Sequence, residues 1–463
     1  MDEASASQES GTEGLEIVNI APDGDIVLDV TFETSKETLK AARKATKPRP
    51  GQQVVQPVFK PRVRVGYRAR LSVLRQHSKY FDSLLGDTRF AEAKAVAAAL
   101  ERLSLQNVAP GEASAESLPR VAIKEDDEAT QAAGQEGIFA DLLRLLHGQE
   151  AVTTPVTMHY LAALAVLADR FNCTAAVARA MSAKLKLKWP VTKTALPRDE
   201  GSPSLTRAME ETLRQKIMVS WLLDQPIKMS TSTRELIIYG SRRWSLSDDE
   251  DTDAYSAAWW NLPDDLEGEL QHRRECILNT IASVQRHYLK KYLSRHRQCK
   301  LGYDSSASCD SYQLGELVKF LSSHALLFLS DFSPHSFDDN AADYAAVDVN
   351  QIITKLKQLS GYQVDKNHRN CGPRSEVLTI MDYIQGMLSS NIISISRTAW
   401  KKNRDLVSWD TADDTDKGKE ERVFRFTRSI SRDQRVRHEG TMGADRMAVD
   451  LFTADRWDWT PED

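Results

Sequence analysis

The sequence has few cysteines, no long apolar run and no excess of basic side chains. Five cysteines in 463 residues are too few for the disulfide framework of a secreted domain, which favours a reducing compartment, the cytoplasm or nucleus. The longest apolar run, Leu161 to Ala168, is far shorter than the ~20 residues of a membrane-spanning helix, so we expect no membrane contact. With 61 basic against 66 acidic residues, we do not expect nucleic-acid binding. The acidic, polar first ten residues do not resemble a secretory signal.

The overall composition is typical of a folded, globular protein. Apolar residues make up 41% of the chain and charged residues 27%, which is enough to bury a sizeable core and excludes a wholly disordered chain or a coiled-coil rod. Because domains usually hold ~100–200 residues, the length predicts two domains.

In the first part of the chain, the spacing of apolar residues predicts strands followed by helices. Apolar side chains at every second position predict strands over 26–32 and 63–67 and a short strand around 121–123. Residues 35–60 and 100–120 show no period and predict loops or insertions. Helical spacing then dominates 139–146, 160–171 and 177–185. Early strands and late helices predict the α+β class, with helices packed on a small mixed sheet.

Composition also divides the chain into segments. We predict a polar N-terminal segment (1–20), an α+β domain (21–190), a Pro- and Ser-containing linker (191–206), a mainly α-helical domain (207–400) and a charged, partly disordered tail (401–463). The helical domain is predicted from apolar faces at helical spacing, without a fixed repeat period.

Several motifs of the first domain resemble the BTB/POZ family. The similarity spans roughly 24–190, and the segment RVRVGYRARLSVLRQHSKYFDSLLG carries the family's strand followed by its "L…SxYFxxLL" pattern at Leu74, Ser78, Tyr80, Phe81, Leu84 and Leu85. LLRLLHG and LAVLADRFNC most resemble the versions found in filamentous fungi. The stretch from Asp265 to Leu317 is similar to the helical region that follows this domain in uncharacterised fungal proteins. That similarity indicates no particular activity.

The resemblance implies a protein-interaction module. Members of the family self-associate, so we expect a homodimer, and some of them bind a cullin scaffold of a ubiquitin ligase. The cullin-binding members carry an apolar-x-acidic triplet, which Phe90-Ala91-Glu92 matches. Phe90 would be an apolar anchor and Glu92 would accept a hydrogen bond at the rim of the interface. The alternative is that Phe90 covers the edge of the sheet while Glu92 is solvated. An unknown protein would bind the helical domain.

Four residues of the second domain raise the alternative of a metal site. Cys299 and Cys309 form one pair, and His368 and Cys371 form an H-x-x-C pair, so the set could hold structural zinc. However, the first pair is spaced too widely for a zinc knuckle, and almost sixty residues separate the two pairs. Since unpaired cysteines are often buried, we predict ordinary thiols, with no metal and no cofactor.

No catalytic motif is present in the sequence. It contains no G-x-x-x-x-G-K-[ST], no G-x-S-x-G and no H-E-x-x-H, so we predict that the protein is not an enzyme. Two alternatives to a ligase adaptor remain open. One is a structural self-assembly or regulatory protein without a ubiquitin role. The other is an enzyme whose site lies in the helical domain and carries no recognised sequence motif.

Overall fold

A computed structural model describes residues 15–45, 59–154, 156–184, 189, 205–245, 256–327, 347–389 and 393–402. The chain forms two compact units. The first contains the described residues up to 189, with 222–224 and the described part of 255–258. The second contains the remaining described residues from 205 onwards. The described residues do not include 403–463 of the predicted tail or most of the predicted linker.

The first unit is built on a four-stranded mixed sheet, which together with the helices places the protein in the α+β class. Its strands are β1 (Glu16–Asn19), β2 (Ile26–Glu33), β3 (Arg62–Ala69) and β4 (Arg120–Asp126), in the spatial order β1-β3-β2-β4. β2 runs antiparallel to β3 and parallel to β4, while β1 runs parallel to β3. The strands predicted over 26–32, 63–67 and 121–123 are confirmed.

Two elements of this unit differ from the sequence prediction. β1 lies within residues 1–20, which were predicted as an irregular polar segment, and α1 (Lys36–Ala45) lies within the predicted loop 35–60. β1 has only four residues, too few to show an alternation, and pairing with β3 decides its conformation. α1 buries little apart from Leu39, so its apolar stripe is too narrow to stand out in the sequence.

Six further helices lie in the described part of the first unit. They are α2 (Leu71–His77), α3 (Lys79–Gly86), α4 (Ala91–Leu105), α5 (Gln135–Leu146), α6 (Met158–Arg170) and α7 (Thr174–Lys184). α4 continues into residues that were predicted to be loose, because its alanine-rich sequence is a strong helix former. A chain of aromatic contacts joins the sheet to the helices, with ring centroids 5.2–5.8 Å apart between Phe32, Phe139, Phe171 and Phe81, and between Phe139 and Tyr67.

The described part of the second unit is helical. Its α-helices are α8 (Arg207–Leu222), α9 (Pro226–Tyr239), α10 (Leu266–Leu293), α11 (Ser306–Ser323), α12 (Val349–Leu356), α13 (Arg374–Ser389) and α14 (Arg397–Lys402). The helical spacing of apolar residues predicted for 207–400 corresponds to helices in the structure, at α8, α10, α11, α12 and α13. No described helix combines the length and the apolar character needed to cross a membrane.

A buried ionic network holds the N-terminal part of the second unit together. The guanidinium of Arg214 on α8 is fully buried and donates to Glu210 at 3.0 Å, to both carboxylate oxygens of Glu267 at 2.7 and 2.8 Å, and to the Ser241 hydroxyl at 2.8 Å. Trp244 Nε1 donates to Glu267 as well, at 2.6 Å. The charges are thus compensated by several hydrogen bonds, which buried ions require.

Candidate functional site

The first candidate site is the start of α4, where the sequence predicted a partner contact. Phe90 directly precedes the helix and is 43% exposed, a large fraction for a phenylalanine in a folded domain. Glu92 lies in the first turn of the same helix and is half-buried. A carboxylate at this position is stabilised by the helix dipole. The structure therefore places an exposed apolar ring just before α4 and a half-buried carboxyl group in the first turn of that helix.

The turn that precedes α4 is held by its own hydrogen bonds. The Asp87 carboxylate accepts from the Arg89 backbone N–H at 2.9 Å and from the Arg89 guanidinium at 2.6 and 2.8 Å. The Phe90 N–H donates to the Asp87 carbonyl at 3.0 Å, and the Lys94 N–H donates to the Phe90 carbonyl at 3.3 Å. These contacts fix the backbone of Phe90 before any partner arrives, which lowers the entropic cost of binding.

A second partly exposed aromatic side chain, Tyr80, lies on α3 and packs on buried rings of α3 and the end of α6. Tyr80 is 38% exposed and packs edge-on against Phe81 and Phe171, with centroids 5.2 Å away in both cases. Burial raises the pKa of the Tyr80 hydroxyl, and the negative charges of Glu125 and Glu92 raise it further. Tyr80 is therefore in electrostatic reach of Glu92.

The second candidate site is a cluster of three cysteines in the second unit. The sulfur atoms of Cys299, Cys309 and Cys371 all lie within 4.8 Å of one another, although 72 positions separate the first from the last. Cys299 and Cys309 are buried, Cys371 is half-buried, and none of the three forms a disulfide. Cys299 belongs to the loop after α10, Cys309 to the first turn of α11, and Cys371 to the segment before α13. We call this set the cysteine cluster.

His368, the fourth residue considered from the sequence, lies beside the cysteine cluster. Its ring is fully buried, with Nδ1 at 2.9 Å from Asp365 Oδ1 and Nε2 at 3.1 Å from the Ser306 hydroxyl oxygen. The hydrogen bond with Asp365 raises the pKa of His368, and a contact with Cys299 raises it further. The structure thus brings the imidazole next to Cys299, with its Nε2 atom on the Ser306 hydroxyl.

Neighbouring groups hold the two non-helical segments of the cysteine cluster, around Cys299 and Cys371, in place. The Asp310 carboxylate on α11 accepts the backbone N–H groups of Gln298 at 2.7 Å and Cys299 at 3.0 Å. The Tyr292 hydroxyl at the end of α10 donates to the Cys371 carbonyl at 2.9 Å. These partners fix the backbone positions of Cys299 and Cys371.

The path of the chain after Cys371 depends on a glycine. Gly372 passes so close to the Gln313 side chain on α11 that a Cβ atom would collide with its amide oxygen. Only glycine permits this approach without a shift of the Gln313 side chain.

The thiols of the cysteine cluster differ in acidity. Burial raises the pKa of Cys309 to about 12 and also raises that of Cys371. Burial alone would raise the pKa of Cys299 too, but hydrogen bonds with the Leu301 backbone, Ser306 and the other two thiols outweigh it and leave the pKa lowered. Cys299 is therefore the thiol that loses its proton most readily.

Sequence reasoning missed the residues that support this cluster. Asp365 stands three positions before His368 and accepts a hydrogen bond from its ring as well as from the Asn367 N–H at 2.8 Å. The D-x-x-H-x-x-C pattern is visible in the sequence and could have drawn attention to Asp365. Asp310 carries no comparable signal, because its role depends on the position of a loop twelve residues earlier.

The described part of the second unit also bears on the enzyme alternative. A cavity lined mainly by apolar residues such as Leu317, Phe320 and Met381 has a volume of about 20 Å³, which is far below the ~300–1,000 Å³ of a substrate pocket. The buried charges around Arg214 are satisfied by one another and by nearby hydroxyl and indole groups. Neither feature offers a reactive group to a substrate.

Comparisons with protein-family models, with curated proteins and with solved structures find no match to this chain.

Proposed function

We propose that this protein is a non-enzymatic interaction module of the BTB/POZ type that acts as a substrate adaptor for a cullin-type ubiquitin ligase. Its first unit associates with a second copy and binds the N-terminal region of the cullin. Its second unit binds the protein that is to be modified. The observation that carries the proposal is the exposure of Phe90 beside Glu92 on a turn that is already ordered.

Several features of the first unit support the proposal. Strands β2 and β3 pair antiparallel and are followed by the α2–α3 helix pair, as the BTB/POZ resemblance implies. An exposed aromatic ring such as that of Phe90 belongs to the side-chain types that are enriched at protein interfaces. The adaptor would act by proximity, because linking two binding modules raises the local concentration of one partner near the other.

The test is a binding titration of the full chain against the N-terminal region of a filamentous-fungal cullin. We expect a Kd in the micromolar range or tighter. Phe90→Ala or Glu92→Ala should weaken binding by about tenfold or more, equivalent to ~1.4 kcal/mol, since each removes one half of the proposed anchor. Glu101→Ala, at an exposed position of the same helix, is the matched control and should bind like the unchanged protein.

The oligomeric state is measured on the same samples by sedimentation equilibrium. A dimer that binds the cullin supports both parts of the proposal. A folded dimer without cullin binding would overturn the adaptor role and leave self-assembly as the function. Binding that is unaffected by both variants would show that the cullin uses another surface and would remove Phe90 and Glu92 from the site.

A further inference from the structure

We propose that Cys299, Cys309, Cys371 and His368 together form a structural zinc site in the second unit. This inference is independent of the proposed adaptor role. It runs against the expectation of ordinary thiols, which rested on the spacing of the four residues along the chain.

The cysteine cluster has the geometry of a zinc donor set. Zinc binds thiolate sulfur at about 2.3 Å in a tetrahedron, which places two ligand sulfurs roughly 3.8 Å apart. The three sulfur atoms already lie within 4.8 Å of one another. Each sulfur atom would therefore need to move by at most about 0.6 Å to place all three around one ion.

The imidazole of His368 lies beside Cys299, outside the set of three sulfur atoms that lie within 4.8 Å of one another, and it is the group that we assign as the fourth ligand. Asp365 accepts the proton of Nδ1 at 2.9 Å, which leaves the Nε2 lone pair on the side of Ser306. On metal binding, Nε2 would exchange the Ser306 hydroxyl for the ion. A carboxylate that holds the second nitrogen of the ring is the usual partner of a zinc-bound histidine, and Asp365 is itself held by the Asn367 N–H and the Ser305 hydroxyl.

The position of the site in the fold indicates a structural role. Its ligands come from the loop after α10, the first turn of α11 and the segment before α13. One ion would join three stretches of chain that are distant in sequence. Four protein ligands leave no open position for a substrate, which is the arrangement of structural rather than catalytic zinc.

The first measurement is the metal content of the full chain, expressed in zinc-containing medium and purified without chelator. We expect one zinc ion per chain by plasma mass spectrometry. Replacement of the zinc by Co²⁺ should give the sulfur-to-metal charge-transfer absorption of a thiolate site together with the visible bands of tetrahedral coordination. Both readouts use the unchanged protein and do not depend on a variant that folds.

Variants then assign the ligands. Cys309→Ser should lose the bound zinc. Cys276→Ser is the matched control, because Cys276 is also a buried thiol of the second unit but lies outside the cluster, and it should keep one equivalent of zinc. His368→Ala should keep the charge-transfer absorption and shift the visible Co²⁺ bands as water replaces the imidazole.

Three results would overturn the proposal. Protein with neither zinc nor a Co²⁺ charge-transfer band would show that the thiols bind no metal. An intact mass lower by two hydrogens, with two cluster thiols resistant to alkylation, would show a disulfide instead. Co²⁺ spectra that are identical with and without His368→Ala would remove the histidine from the ligand set.

Discussion

Glu125 is a buried carboxyl group whose ionisation opposes folding. It lies on β4 and is 3% exposed, and its only ion-pair partner among the described residues is Arg170, at 3.1 Å. Burial raises the pKa of Glu125 to about 7, even though the charge of Arg170 acts in the opposite direction. In the unfolded chain a glutamate ionises near pH 4.3. The folded state therefore holds its proton more tightly, and this contribution to stability declines as the pH rises from about 4 to about 7.

Glu125→Gln should therefore stabilise the protein at high pH. A neutral amide of the same shape removes the cost of burying a charge, so we expect the free energy of unfolding to rise by about 1–3 kcal/mol at pH 8 and to change little at pH 4. The difference is measured by urea unfolding of the first unit at the two pH values, with circular dichroism as the signal.

The matched control for this prediction is Glu128→Gln. Glu128 is an exposed carboxyl three positions further along the chain, and its replacement should leave the pH dependence unchanged. An equal effect of both substitutions would mean that total charge, not the burial of Glu125, sets the pH dependence.

Two helices of the second unit are joined by one charged side chain. Arg214 on α8 binds both oxygens of Glu267 on α10, and it also binds Ser241 between α9 and α10. Its guanidinium also lies 5.2 Å from the centroid of the buried Trp260 ring. Removal of the arginine would leave the buried Glu210 and the half-buried Glu267 with too few donors, which is costly in a low-dielectric interior.

We expect Arg214→Met to lower the free energy of unfolding of the second unit by about 3–5 kcal/mol. Tryptophan fluorescence suits the measurement, because Trp221, Trp244, Trp259, Trp260 and Trp400 lie among the described residues of that unit. Arg295→Met, at an exposed position, is the control and should stay within ~0.5 kcal/mol. A loss of less than 1 kcal/mol in Arg214→Met would show that the network contributes little to stability.

Short elements were the least predictable part of the fold. The period of apolar residues found β2, β3 and α5 because each has enough positions to show one face. β1 and α1 were missed because a four-residue strand and a helix with a narrow apolar stripe carry too little of that signal. β1 exists because it pairs with β3, from Glu16 opposite Val65 to Asn19 opposite Arg68. No property of the local sequence specifies such a partner.

The first unit includes residues 256–258, which come more than sixty positions after the described end of its N-terminal part at residue 189. The Ala258 N–H donates to the Ala129 carbonyl at 2.9 Å, and the Gln131 amide donates to the Ser256 hydroxyl at 2.5 Å. Ala257, between these two residues, is fully buried. A fragment that ends at residue 190 therefore lacks part of the unit.

We expect a fragment of residues 1–190 to be less stable than the same unit in the full chain by roughly 1–3 kcal/mol, from two lost hydrogen bonds and the loss of buried surface. Hydrogen exchange of the peptide that contains β4, followed by mass spectrometry, reports on the same strand in both proteins. The full chain with Ser256→Ala is a matched intermediate case that lacks one hydrogen bond. Equal protection in all three proteins would contradict this view of the unit.

Local sequence was sufficient for the α+β class, for most long helices and for the position of Phe90 and Glu92. Those features depend on residues within a few positions of one another, such as the Asp87–Arg89 contact that orders the turn before α4. The cysteine cluster is different, because its members are ten and sixty-two positions apart. Their distance in space depends on how α10, α11 and α13 pack, and spacing along the chain does not report it. For that reason the sequence favoured ordinary thiols, while the folded chain places three sulfur atoms and an imidazole together.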